Sequence, residues 1–297
     1  MSILKSIVKR NVKLFFKDKG MFFTSLITPV ILLVLYMSFL GNTFEDAFLS
    51  TLPAGLENAE ALVKGCVGGQ LISSILAVSC VTVAFCSNML MVQDKANGSI
   101  NDLTITPVKR TTLALGYYFA TLISTGIVCL AALGMCLIYV YFVGWYMSFA
   151  DVLLLIADIF LLVMMGTALS SIINYFLSTQ GQISAVGSMV SSVYGFVCGA
   201  YMPISQLTDG LQVVIKFLPG TYGTALVRNH AMRGVFSEME HLNYPKEIIE
   251  IFKDSTDCNM YFFDKLVPEN VMFIILGATV VVSIGVYVLL NMRSKKK

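Results

Sequence analysis

The sequence predicts an all-α polytopic membrane protein with six transmembrane helices, and three observations carry that prediction. Hydrophobic residues fill 57% of the 297 positions and charged residues only 13%, against roughly 25% charge in soluble domains. Mean hydropathy is +0.79, more apolar surface than a water-soluble globule of this size can hide. The apolar residues also run in long continuous windows rather than alternating, unlike the strands of a membrane β-barrel. A soluble enzyme is excluded on these grounds. The net charge of +2 supplies no concentrated basic face, so nucleic acid is excluded as a partner.

Residues 1–20 come first. Ile3, Leu4, Ile7, Val8, Leu14 and Phe15 recur at helical spacing, with Lys5, Lys9, Arg10, Lys13 and Lys17 on the other side. Such a helix lies in the membrane interface, its apolar face among acyl chains and its lysines near anionic headgroups. Six windows then reach the ~20 residues that a helix needs to cross a bilayer: Met21–Leu40, Val67–Val92, Leu113–Val143, Val152–Leu177, Ile183–Met202 and Val271–Asn291. The first has no A-x-A site after it, so it is expected to stay as an anchor rather than be cleaved.

Orientation follows from the basic residues beside the spans. Lys5, Lys9, Arg10, Lys13, Lys17, Lys19, Lys95, Lys109, Arg110, Arg293, Lys295, Lys296 and Lys297 face only Asp18, Asp94 and Asp102 on one side. The other connections are rich in acid, including Glu45, Asp46, Glu57 and Glu60. Both termini are therefore expected in the cytoplasm, as an even number of spans requires, and the chain is expected to be one multi-pass domain of the cell membrane.

Residues 93–112 link the second and third windows. Gly98 can end the preceding helix, Ser99 with Asp102 resembles a capping box for a new one, and Pro107 stops that new helix. A short cytoplasmic helix is expected there, offering Ile100, Leu103 and Ile105 to a partner. On the other side, Met202-Pro203 breaks the fifth helix and opens a long segment, 203–268, in which Ile204–Gly220 has the length and polarity to dip back toward the membrane. Pro245 precedes an amphipathic stretch, Glu247–Asp257, with Ile248, Ile249, Ile251 and Phe252. Cys66 and Cys258 are the cysteines in polar surroundings, which leaves a disulfide between them open. No pair has metal or redox spacing, so no metal site is expected.

Two features inside the spans stand out. Gly187, Ser191, Gly195 and Gly199 recur every four residues in the fifth, and Gly69, Ser73, Cys80, Ala84 and Asn88 form a looser small or polar stripe in the second. Such stripes serve close helix packing within a subunit or a seam between subunits. Asp158 is the acid well inside a span, expected to face protein or water or to sit near the outer interface with Asp151. No proton-relay partner is visible, because His230 and His241 fall in the outer segment and read as solvated loop residues without HExxH spacing.

The 93–112 segment resembles the second-to-third loop of ABC transporter type-2 permeases. Asp94, Gly98, Ser99, Leu103, Thr106, Pro107, Val108, Arg110 and Gly116 match that family's pattern in order; Ala96 stands where a second acid is usual and Tyr117 where a Lys is. Gly199, Pro203, Leu207, Leu211, Gln212, Pro219, Thr221, Tyr222 and Arg228 resemble its pattern after the fifth span. The resemblance implies the type-2 exporter fold, with an N-terminal elbow helix, a cytoplasmic coupling helix and outer re-entrant helices. It implies that Asp94, Gly98, Ser99, Ile100, Leu103, Thr106, Pro107 and Arg110 contact a cytoplasmic ABC ATPase subunit, present in two copies. A second permease, identical or not, is implied beside this one. The second and fifth spans would line the translocation path through Ser73, Asn88, Gly187, Ser191, Gly195 and Gly199.

The chain contains no G-x-x-x-x-G-K-[ST], so ATP and Mg are expected on the partner ATPase and no cofactor or catalytic residue on this chain. The apolar, sparsely charged spans suit export of an amphipathic load, a drug, lipid or hydrophobic peptide, while the resemblance also admits polysaccharide and ion exporters. Two rival classes remain: an ATP-independent channel or carrier, which would want more intramembrane charge or inverted repeats, and a membrane-embedded enzyme, which would want clustered polar catalytic groups. Neither explains the Gly98–Arg110 segment.

Overall fold

Helix α4 (Ala59–Ala96) is the axis on which most of the other helices pack. The computed structural model describes residues 3–52, 58–105, 108–204, 207–263 and 265–293. At 38 residues, α4 is about 57 Å long, well beyond a ~30 Å hydrocarbon core. Its apolar window is 83% buried, against at most 50% in the other spanning helices. Small residues explain how so many neighbours fit: a β-carbon at Gly69 would lie 2.5 Å from Met232 Cγ, and one at Gly166 2.8 Å from the Cys80 carbonyl oxygen, so backbone meets neighbour directly there.

The chain begins with α1 (Ile3–Lys17), whose buried side, Ile7, Asn11 and Phe15, packs on α6 (Arg110–Val143). Asp18 then accepts the Met21 N–H at 3.1 Å and starts α2 (Lys19–Leu35). Where the first window was expected to stop at Leu40, the helix continues through one widened turn, Tyr36–Leu40, into α3 (Gly41–Thr51). Gly41 N–H bonds the Tyr36 carbonyl there, the wider closure of a π turn.

Gly98 ends α4 at φ +75°, as its left-handed conformation permits, and α5 (Ser99–Ile105) comes directly after it. Helix α7 (Phe149–Phe176) opens on a reciprocal cap between Ser148 and Asp151, which places Asp151 at the helix start and Asp158 two turns further in. Thr179 and Gln182 cap α8 (Gln180–Val197) in the same way. The last helix is α12 (Glu269–Arg293).

Among the described residues, five helices are long and apolar enough to cross a membrane: Lys19–Ser50, α4, α6, α7 and α12. Their outer faces carry exposed Phe23, Ile31, Ile127, Leu130, Ile274 and Val281, which suits lipid rather than water. The fifth expected span, Ile183–Met202, is the shorter α8, which stops at Val197 because Gly199 turns left-handed and the Ala200 and Tyr201 N–H groups both return to the Gly195 carbonyl. One end of the bundle holds α1, α5 and the C-terminal end of α12 and is rich in Lys and Arg; we term it the basic end, and the opposite one the acidic end.

The largest departure from expectation lies in 203–268. It holds α9 (Asp209–Lys216), α10 (Pro219–His241), α11 (Lys246–Ser255) and a small hairpin, β1 (Tyr261–Phe262) with β2 (Lys265–Leu266), in which Tyr261 faces Leu266. Helix α10 is 23 residues long and buried around most of its circumference between α4, α7 and α12. Its start is deep, because Gly223 lies against Leu162 and Leu276, and Leu162 is about 16 Å along α7 from Asp151. The chain thus dips inward after α8 and climbs back along α10. Helix α11 matches the expected amphipathic stretch, burying Ile249 and Phe252. Cys66 and Cys258 meet in one buried apolar cluster with Met232 and Phe252, both as free thiols.

Candidate functional site

The basic end is built around Asp94, near the end of α4. Arg10 of α1 grips its carboxylate with two bonds, Nη1 to Oδ2 at 2.7 Å and Nη2 to Oδ1 at 3.1 Å, and the Tyr117 hydroxyl of α6 donates to Oδ2 at 2.5 Å. The bond to Asp94 is the main reason the Arg10 guanidinium holds its proton even more firmly than usual. Next to it, Lys95 Nζ donates to the carbonyls of Asn174, Tyr175 and Leu177 at 3.0, 2.7 and 3.2 Å, closing the C-terminal end of α7 where a cation is favoured. Three helices and the elbow are therefore fastened together one turn before Gly98.

Helix α5 hangs from this block. Ile100 and Leu103 are half-buried and pack on the cluster of Ile7, Met91, Leu113 and Tyr117. Asn101 and Asp102 are exposed, and Ile105 is 82% exposed. Of the residues expected at an ATPase contact, Asp94 is buried and bound within the chain, Ser99 and Arg110 are half-buried, and Thr106 and Pro107 lie outside the described residues. Sequence reasoning offered Ile100, Leu103 and Ile105 outward as a set; the fold turns the first two inward and leaves Ile105 out. It also missed Arg10 and Tyr117, although the lysine-rich elbow and the Tyr in place of a Lys were visible signals. Asp94→Asn is expected to lower stability by about 1 to 2 kcal/mol, since Arg10 is half-exposed and can turn to water; thermal unfolding in detergent measures it.

The residues expected on the translocation path divide. Ser73 and Asn88 are buried inside this chain: Asn88 Nδ2 donates to Ser170 and Ser171 at 3.1 and 3.0 Å, and Ser73 Oγ accepts from Arg228 at 3.3 Å. Gly195 is buried under the Tyr201 ring and Gly199 forms the left-handed turn. Gly187 and Ser191 are half-exposed on α8, whose main packing partner is α4. Ser184, Ser188 and Ser192 are exposed on the same helix beside exposed Met189, Val193 and Phe196, a surface that mixes small polar and apolar side chains.

Two sets of buried polar contacts hold α10. Arg228, 1% exposed, donates to the Gly199 carbonyl at 2.8 Å and lies 3.5 Å from Asp257, whose other contact is the Ile204 N–H at 2.8 Å. Burial pushes the Asp257 carboxyl above the usual range, with the Arg228 guanidinium opposing it. Two residues further on, His230 Nδ1 meets Asp158 Oδ2 at 2.5 Å, both side chains 1% exposed. The expectations that Asp158 lacks a partner and that His230 is a solvated loop residue are both corrected here, because α10 is a buried helix. His241 closes that helix and is exposed. Among the described residues no group of His, Cys, Asp and Glu is arranged to hold a metal ion.

Several apolar helices around a buried axis, with α1 packed on α6 and a short helix slung beneath two long ones, make a multi-pass membrane protein. The ABC-2 type transporter family matches residues 3–231, and the chain belongs to it, as an ABC transporter permease. Comparison with curated proteins finds no match.

Proposed function

We propose that this chain is the membrane half of an ABC exporter, with its basic end in the cytoplasm, and that a separate ATPase subunit drives it through α5. The observation that carries the reading is the mounting of that helix. Its apolar residues seat it on α1 and α6, Gly98 and Arg110 join it to the ends of α4 and α6, and the exposed Ile105 is left for a groove on the ATPase. A push on α5 then moves α4, α6 and the elbow together, since Arg10, Asp94 and Tyr117 bind them into one block. Movement requires that nucleotide favours one arrangement over the other by differential contact, not merely that it binds.

Two ATPase copies and a second permease complete the assembly. The uncovered serines of α8, with Gly187 and Ser191, form the seam between permeases and line the path of an amphipathic cargo, a drug, lipid or hydrophobic peptide. The lipid-facing surface of α2, α6 and α12 is apolar enough to need no further protein. Co-expression with an ABC ATPase and reconstitution in vesicles tests the reading. A stable complex that exports a labelled amphipath only with ATP and Mg is the expected result. Transport that proceeds with no nucleotide hydrolysis overturns it and leaves an ATP-independent carrier.

A further inference from the structure

Asp158 and His230 play no part in the coupling just described, yet they are among the most deeply buried polar groups in the protein. One carboxylate oxygen is paired with the imidazole; the other, Oδ1, is buried with no hydrogen-bond partner among the described residues. The far imidazole nitrogen, Nε2, lies 3.8 Å from Glu269 Oε2. Glu269 is 41% exposed and, with Arg233, lines a cavity of about 420 Å³ at the acidic end. A line of groups thus runs from water through Glu269 and His230 to a carboxylate two turns inside a spanning helix.

The charges around this line are unbalanced. Helix α7 contributes Asp151 and Asp158, α12 contributes Glu269, and α10 contributes His230 and Arg233, whose guanidinium is 3.1 Å from Glu269 and 3.7 Å from Asp151. On α4 the Cys80 thiol lies within electrostatic reach of Asp158, and on α12 the Phe273 ring lies 5.9 Å from the imidazole. Three carboxylates therefore face one guanidinium. With no proton on the Asp158–His230 pair, an uncompensated negative charge sits on side chains that are only 1% exposed; one proton makes the pair neutral overall.

We propose that Asp158, His230 and Glu269 form a proton-binding site loaded from the acidic end, whose occupancy holds α10 against α7. One proton passes from water in the cavity, by way of Glu269, to the pair; the charge of the site rises by one and no other bond changes. The occupied pair is a tight polar contact between the two helices. The empty pair leaves a buried anion that favours any arrangement admitting water, so α10 loosens. The inference is independent of the exporter reading, and its test needs no ATPase.

Trp145 is the protein's single tryptophan, and the carbonyl of its neighbour Tyr146 lies directly against Gly234 of α10, so its fluorescence reports the seat of that helix. The full chain in detergent micelles, titrated between about pH 5 and 9, is expected to show a one-proton transition that Asp158→Asn and His230→Gln abolish. Glu269→Gln removes a negative charge and is expected to move the midpoint down by about one pH unit, while Arg233→Gln removes a positive one and moves it up by a similar amount. A contact with a structural role alone would not answer those two changes in opposite directions. A flat wild-type titration, a transition that survives in Asp158→Asn, or midpoints indifferent to Glu269→Gln and Arg233→Gln overturns the proposal. Should Asp158→Asn fail to fold, the last two variants alter half-exposed side chains and still decide.

Discussion

Arg228→Met is expected to cost about 3 to 5 kcal/mol, the range for removing one partner of a buried ion pair. The guanidinium is 1% exposed and serves three groups at once: the Gly199 carbonyl that ends α8, Ser73 on α4 and Asp257 after α11. Methionine fills much of the volume but leaves Asp257 as a buried anion held by the Ile204 N–H at 2.8 Å. Asp257→Asn in the same chain removes that anion. The double variant is therefore expected to recover a substantial part of the loss, giving a coupling energy of about 1 to 3 kcal/mol in a double-mutant cycle. Unfolding midpoints in detergent for the four proteins measure it. A double variant whose loss equals the sum of the two single losses would show that Arg228 acts by packing alone.

The same residues explain what the sequence could and could not reveal. Five spanning helices were legible because each is a long apolar run that no soluble arrangement could bury. The helical periodicity of α1 and the turn at Gly98 were legible because both are local; that Ile7 and Phe15 are buried inside the protein rather than set among acyl chains was not. Helix α10 was not, since Arg228, Asn229, His230, Arg233, Glu238 and Glu240 make it read as an exposed loop. Its burial depends on partners far away in sequence: Asp257 for Arg228, Asp158 for His230, the Cys258 carbonyl for Asn229. The available signal was the small-residue run Gly220, Thr221, Gly223, Thr224 and Ala225, which lets the start of the helix fit tightly between its neighbours.

The candidate site shows the same division. That a short helix would lie between α4 and α6 could be read from Gly98 and Ser99, but which of its apolar residues face outward depended on where α1 packs. Ile7 and Leu113 claim Ile100 and Leu103, an outcome set by the elbow docking on α6. The buried position of Asp94 likewise required Arg10, distant in sequence, to reach it.

Ile105→Asp is expected to uncouple the transporter without unfolding it. The side chain is 82% exposed, so its loss should change stability by no more than about 0.5 kcal/mol. Burying an isoleucine in a partner's groove contributes about 1.5 to 3 kcal/mol, and forcing a carboxylate into the same groove adds a desolvation cost. Since each 1.4 kcal/mol is a factor of ten, affinity for the ATPase should fall by about ten- to a hundredfold or more, and ATP-driven export with it. Leu103→Asp is the blunter test, because Leu103 packs on the protein's own cluster and its loss would also loosen α5 from α1 and α6. Ile105→Leu keeps the apolar contact and should retain both affinity and transport. Co-purified ATPase and vesicle export report the two effects separately. If Ile105→Asp keeps full affinity and full export while Leu103→Asp loses both, the drive enters through the packing beneath α5 and not through a docked isoleucine.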